Sequence, residues 1–154
     1  MSGIVHRINV SPGGVPKLPV EEAEVTSLGI VGDGHNDQVH HGGSEAALCL
    51  FSLEVIETLR SEGHPIFPGA AGENLTISGI EWDAMAPGAQ WRLGDKVDIE
   101  ISGYTTPCTK NAGWFIDGDF MRMHQSRHPG FSRVYARVLT PGRLQPGDSI
   151  TRLT

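Results

Sequence analysis

Short runs in which apolar and polar residues alternate recur along the chain, and glycine-rich turns separate them. Residues 4–10 alternate in this way, and residues 97–101 alternate strictly after a Leu-Gly-Asp turn. Such period-two segments are typical of strands with one buried face. Further strands are predicted at residues 23–28, 46–51, 75–77 and 131–139, with a second turn–strand unit at 146–153. Because so many short strands would leave unpaired edges in an open sheet, we expect a mainly β fold that forms a closed or nearly closed barrel.

One segment has helical rather than strand spacing. Leu53, Ile56 and Leu59 fall on one face of a helix, Ser52 is a suitable N-cap, and a glycine followed closely by a proline ends the segment. A second, short helix is predicted over residues 119–125. The β barrel should therefore carry one or two short helices.

The length of 154 residues is typical of one domain, and 20 glycines favour many turns. The N-terminus contains no apolar stretch of signal-peptide length, and the longest apolar run, residues 46–51, is too short to span a bilayer. We therefore expect a single-domain protein of the cytoplasm that does not associate with membranes.

The net charge of −6 is unevenly distributed. Residues 109–154 contain seven Lys or Arg against three Asp, and six of these cations are arginines suited to bidentate phosphate or carboxylate recognition. A small anionic ligand fits this pattern better than nucleic acid, which the overall acidic charge would repel. Solvent-exposed arginines without a ligand are an equal alternative for each single position. The candidates for a common cleft are Arg122, Arg127, Arg133 and Arg137.

The two cysteines have different surroundings. Cys49 lies in the apolar segment 46–51, where a cysteine usually acts as a small buried hydrophobe. Cys108 follows a predicted strand and lies between Pro107 and Lys110. Proline cannot donate to a sheet ladder, so the chain should leave the sheet here and present a thiol whose reactive thiolate form a nearby cation favours. From these residues alone, a functional and an inert Cys108 are equally supported.

The positions of the histidines give little support for a metal site or for a hydrolase site. His124 and His128 have helical spacing, but Pro129 disfavours a helix at the second of them. A Cys–His hydrolase remains open, without a supporting motif. The paired glycines of residues 40–43 could form an anion-binding nest, or simply a turn. Two cysteines cannot hold an iron–sulfur cluster, so any electrons must come from another molecule.

Four segments occur together in order: Gly-Ile-Val-Gly-Asp at 29–33, His-His-Gly-Gly at 40–43, Pro-Gly-Ala-Ala-Gly-Glu-Asn-Leu at 68–75, and Pro-Cys at 107–108. This combination resembles the MOSC domain family, named for the C-terminal domain of molybdenum-cofactor sulfurases. The resemblance covers essentially the whole chain and implies one MOSC domain over residues 1–154 with a barrel-like fold.

The resemblance implies that the domain binds the molybdenum cofactor, a molybdopterin with a terminal phosphate. The family's characteristic cysteine falls on Cys108, which in reductases of the family ligates molybdenum and in the sulfurase context carries persulfide sulfur. The binding candidates are residues that match motif positions near the cofactor, together with cationic residues from the segment that follows Cys108. They are His41, Gly42, Gly43, Gly72, Glu73, Asn74, Lys110, Arg127 and Arg133.

Two functions follow from the resemblance. The first is a molybdoenzyme that reduces N-hydroxylated compounds with electrons from an external flavin or ferredoxin-type donor. The alternative is a non-catalytic carrier that holds the cofactor, or a persulfide sulfur on Cys108, for delivery to a receiving enzyme. A substrate pocket beside Cys108 would favour the enzyme.

Overall fold

The computed structural model describes residues 2–34 and 44–153, in which strands predominate. The strands are β1 (Ser2–Val10), β2 (Leu18–Val20), β3 (Ala23–Thr26), β4 (Gly29–Ile30), β5 (Leu48–Ser52), β6 (Leu75–Ser78), β7 (Gln90–Leu93), β8 (Val97–Tyr104), β9 (Val134–Thr140), β10 (Gly142–Leu144) and β11 (Ser149–Arg152). One α-helix, α1 (Leu53–Ser61), and four short 3₁₀ segments complete these described parts.

Seven strands close into a barrel. Their order is β11, β7, β8, β9, β5, β6 and β1, and β1 pairs back onto β11. The long strand β1 makes closure possible, because its first residues pair with β11, its middle with β6 and its last residues with β2. A separate three-stranded sheet contains β10, β3 and β4. The mainly β, barrel-like fold with few helices is thereby confirmed.

Side chains that alternate along the barrel strands fill its interior. Leu48 and Leu50 of β5 and Val134 and Ala136 of β9 point into this core, together with the fully buried Trp91 of β7. Burial of each large apolar side chain stabilises the fold by about 1.5–3 kcal/mol. The intervening residues of β5 and β9 therefore lie on the outer face of the barrel.

Helix α1 connects the parallel strands β5 and β6, which cannot be joined by a tight turn. Ser52 caps the helix as predicted, its hydroxyl accepting a bond from the backbone N–H of Val55 at 3.1 Å. The buried face of the helix contributes Val55, Ile56 and Leu59 to a second apolar cluster, which also includes Phe51 of β5. Because β5 is buried on both faces, its sequence is a continuous apolar run rather than an alternating one.

Some local predictions differ from the structure. The strand predicted over residues 23–28 ends at Thr26, whose hydroxyl bonds to the carbonyl of Gly29 and forms a tight turn into the short strand β4. The second predicted helix is a 3₁₀ segment, Phe120–Met123, with Met123 buried. No helix within residues 2–34 and 44–153 has both the length and the apolar composition needed to cross a lipid bilayer.

Candidate functional site

A cleft lies against the outer face of strands β5 and β9. Cys49 of β5 and Tyr135 of β9 are directly opposite each other in the strand register, and both side chains line the cleft. Arg133 precedes Tyr135 by two residues and lies on the same face, as the period of a strand requires. Cys49 is buried, as predicted, but it lies in the wall of this cleft.

Cys108 lies on another wall of the same cleft, where the chain has left β8. The residue caps a 3₁₀ segment, Thr109–Trp114, and is half-buried. The backbone N–H of Asn111 donates to the carbonyl of Cys108 at 2.9 Å, and the Asn111 side chain in turn accepts from the backbone N–H of Cys108 at 3.5 Å. This reciprocal arrangement fixes the backbone of Cys108 relative to the cleft.

The loop of residues 69–74 forms the wall of the cleft between the β5–β9 face and the Cys108 segment. The carbonyl of Ala71 accepts one bond from the Arg133 guanidinium at 2.8 Å and a second from the side-chain amide of Asn111 at 3.3 Å. One carbonyl therefore links the loop both to the start of β9 and to the Cys108 segment. Gly72 lines the cleft with a backbone φ of +97°, a conformation that favours glycine.

Glu73 supports this loop from behind. It is fully buried and does not line the cleft. One carboxyl oxygen accepts bonds from the backbone N–H of Gly69 and from the hydroxyl of Thr76, each at 2.9 Å. Burial raises the pKa of the Glu73 carboxyl above its usual range. Glu73 thus holds the conformation of the loop, and the structure does not place it at the ligand surface.

A buried ion pair anchors the opposite side of the cleft. Asp33 accepts bonds from the Lys17 ammonium at 2.6 Å, the Asn74 side-chain amide at 2.8 Å and the backbone N–H of Ser11 at 3.0 Å. The Asn74 side chain also accepts from the backbone N–H of Cys49 at 3.0 Å. Lys17 and Asn74 line the cleft, so this network fixes two of its residues. Lys17 was not among the site residues predicted from the sequence.

The cleft has a positive wall and a neutral one. Arg133 is buried, and its Nε has no hydrogen-bond partner among the described residues. Lys110 is exposed at the rim. On the neutral wall, burial raises the pKa of the Cys49 thiol, and burial raises the pKa of Tyr135 to about 12. The arrangement can bind an anion next to a sulfur that remains accessible.

The other arginines considered for the cleft lie elsewhere. Arg127 is exposed and does not line the cleft. Arg122 forms an ion pair with Glu62, and Arg137 pairs with Glu45 and Glu100. Of the four arginines expected to face a common cleft, Arg133 alone lines it. The predicted residues that line it are Gly72, Asn74, Cys108, Lys110 and Arg133.

Three predicted residues, His41, Gly42 and Gly43, lie outside the described residues. Within residues 2–34 and 44–153, no group of three or more His, Cys, Asp or Glu side chains is arranged to hold a metal ion.

The family model of the MOSC domain matches residues 37–151 of the chain. The chain belongs to the MOSC domain family. MOSC domains are associated with the molybdenum cofactor.

Three curated relatives support this assignment. The MOSC chain is 31% identical to the uncharacterized protein YflK of Bacillus subtilis over 92% of its length. It is 28% identical to the protein YiiM of Escherichia coli over 93%, and 29% identical to a protein named Reductase from Gibberella moniliformis over 83%. It spans 63%, 66% and 23% of these relatives, respectively.

Solved structures show the same fold. The crystal structure of YiiM from Geobacillus stearothermophilus matches the whole MOSC chain with a TM-score of 0.78 at 26% identity, and the match covers 76% of that chain. The YUAD protein of Bacillus subtilis matches 97% of the chain and 94% of its own, with a TM-score of 0.75 at 16% identity.

Proposed function

We propose that this MOSC domain binds the molybdenum cofactor in the cleft, with Cys108 as the protein ligand of the metal, and reduces N-hydroxylated compounds. The observation that carries the proposal is the convergence of an accessible sulfur and a buried, incompletely paired guanidinium in one cleft. Thiolate sulfur suits a soft metal, and guanidinium suits a phosphate. The residues present therefore fit both ends of the cofactor.

Each wall of the cleft would have a separate task in holding the cofactor. Arg133 and Lys110 would neutralise the terminal phosphate, and the missing side chain of Gly72 leaves room for close approach to the backbone. Asn111 holds the backbone of Cys108 in place through two hydrogen bonds. Glu73 and Asp33 would act indirectly, since Glu73 fixes the start of the loop that carries Gly72 and Asp33 bonds to the side chain of Asn74.

When bound, the molybdenum cofactor supplies two-electron chemistry that no side chain of the protein can perform. Reduction of an N-hydroxyl group consumes two electrons and two protons, breaks the N–O bond, and releases the amine and water. The electrons would come from an external flavin or ferredoxin-type donor, because the two cysteines of the chain cannot hold an iron–sulfur cluster. We place the protein in the reducing cytoplasm, which keeps both thiols free. The name of the Gibberella relative supports a reductase.

The test is metal and pterin analysis of protein expressed in a host that makes the cofactor, followed by assay with an N-hydroxylated compound and a reduced flavin donor. The proposal predicts stoichiometric molybdenum and pterin together with formation of the amine. Cofactor without turnover, or sulfane sulfur on Cys108 without molybdenum, would instead identify a carrier of cofactor or of persulfide sulfur. The absence of molybdenum, of pterin and of sulfane sulfur from the purified protein would contradict both the enzyme and the carrier function.

A further inference from the structure

We propose that Tyr135 positions the substrate by donating a hydrogen bond to the oxygen of its N-hydroxyl group, and that this bond makes the site selective for N-hydroxylated compounds over their N–H counterparts. The substrate class rests on the proposed function. Tyr135 is assigned from its location, its anchored hydroxyl and the chemistry of the residues around it.

Strand register determines the location of Tyr135. The residue pairs with Cys49 across β5 and β9, and its side chain shares the cleft with Cys108. A substrate bound in this cleft can therefore contact both the sulfur of Cys108 and the side chain of Tyr135.

Thr105 orients the phenol. The side chain of Thr105 is hydrogen-bonded to the Tyr135 hydroxyl, and its oxygen lies 3.7 Å from the sulfur of Cys49. Thr105 is itself buried, and its backbone is fixed by bonds to Arg133 and Ser132. A phenolic hydroxyl has one donor and two acceptor positions, so it can bond to Thr105 and to a ligand together.

Most other polar side chains of the cleft suit different tasks. Thr106 also carries a hydroxyl, but it is exposed, whereas Tyr135 is half-buried. Lys17, Lys110 and Arg133 carry charge, which suits an anion better than a neutral hydroxyl. The amides of Asn74 and Asn111 bond to the backbone and to Asp33, and so hold the walls. Tyr135 remains protonated throughout the physiological range, because burial raises its pKa to about 12. It can therefore act as a neutral hydrogen-bond donor under all working conditions.

The test compares two probes that differ only in the N-hydroxyl group, benzohydroxamic acid and benzamide. Dissociation constants are measured by calorimetry on wild-type protein and on Tyr135→Phe, with cofactor content determined on each preparation. A neutral hydrogen bond is worth about three- to tenfold in affinity. We expect Tyr135→Phe to weaken benzohydroxamic acid by that factor and to leave benzamide unchanged.

The second and only other tyrosine, Tyr104, provides a matched control because it is exposed and does not line the cleft. Tyr104→Phe should leave both affinities unchanged. Thr105→Val, which removes the orienting hydroxyl, should weaken benzohydroxamic acid in the same direction by a smaller factor. The proposal is overturned if Tyr135→Phe weakens both probes equally, or neither, or if wild-type protein does not distinguish them. Because the readout is binding, its failure is distinguishable from an absence of molybdenum or turnover.

Discussion

Removal of the Asp33 charge should destabilise the whole fold. Asp33 and Lys17 form an ion pair of 2.6 Å whose side chains are only 2% and 8% exposed, respectively. In Asp33→Asn the Lys17 ammonium keeps its charge in a buried site without a counter-ion. Loss of one partner from a buried pair typically costs about 3–5 kcal/mol, a large fraction of a total stability of about 5–15 kcal/mol.

The comparison variant is Asp98→Asn. Asp98 pairs with Arg92 at 2.8 Å, but the Arg92 side chain is 47% exposed, so loss of this pair should cost about 0–1 kcal/mol. Urea denaturation followed by tryptophan fluorescence gives both free energies of unfolding. Adding Lys17→Met to Asp33→Asn should recover part of the loss, because the buried charge is then gone. Equal losses in Asp33→Asn and Asp98→Asn would refute the reasoning.

Three further predictions concern the loop and the cleft. Burial raises the pKa of Glu73 in the folded state, so the folded protein binds more protons than the unfolded chain, and stability should fall as pH rises from the unfolded pKa through the folded one. Glu73→Gln should flatten this fall in denaturation midpoints measured between about pH 4 and 8. An unchanged dependence of the midpoint on pH would contradict the prediction. Gly69→Ala should destabilise the fold more than Gly88→Ala, because both glycines have positive φ but only a Cβ at residue 69 would lie 2.3 Å from the Lys17 carbonyl. Equal decreases of the melting temperature in the two variants would count against the loop geometry. Arg133→Lys should lower pterin retention and make it more salt-sensitive, whereas Arg127→Lys should not; equal retention in the two would assign Arg133 a purely structural role.

The sequence predicts the barrel well because strand periodicity is a local property. Alternation in β8 and the capping residue Ser52 of α1 each follow from a few neighbouring residues. The short strand β2 was not predicted, since three residues that include a proline carry too little periodicity. The end of β3 at Thr26 depends on a turn bond that no hydrophobic pattern reveals.

The site is less predictable because it depends on pairing between distant segments. The flanking residues of Cys108 indicated that the chain leaves the sheet there, and the structure shows this. The location of Tyr135 beside Cys49 depends on the register of β5 with β9. Asp33 belongs to the first of the four motif segments, but its bond to Lys17 appears only after folding. The sequence pointed to Glu73 as a ligand contact, whereas its burial makes it a support of the loop.

X-ray absorption at the molybdenum edge tests the central claim most directly, because it counts the sulfur atoms bound to the metal. Cys108→Ser replaces a soft sulfur with a hard hydroxyl of similar size. Cys49→Ser is the matched control, since its buried sulfur lies in the same cleft but is not the proposed ligand. We predict one fewer sulfur ligand per molybdenum in Cys108→Ser and an unchanged count in Cys49→Ser. A Cys108→Ser protein with the same molybdenum content and the same sulfur coordination as wild type would contradict the assignment of Cys108 as the metal ligand.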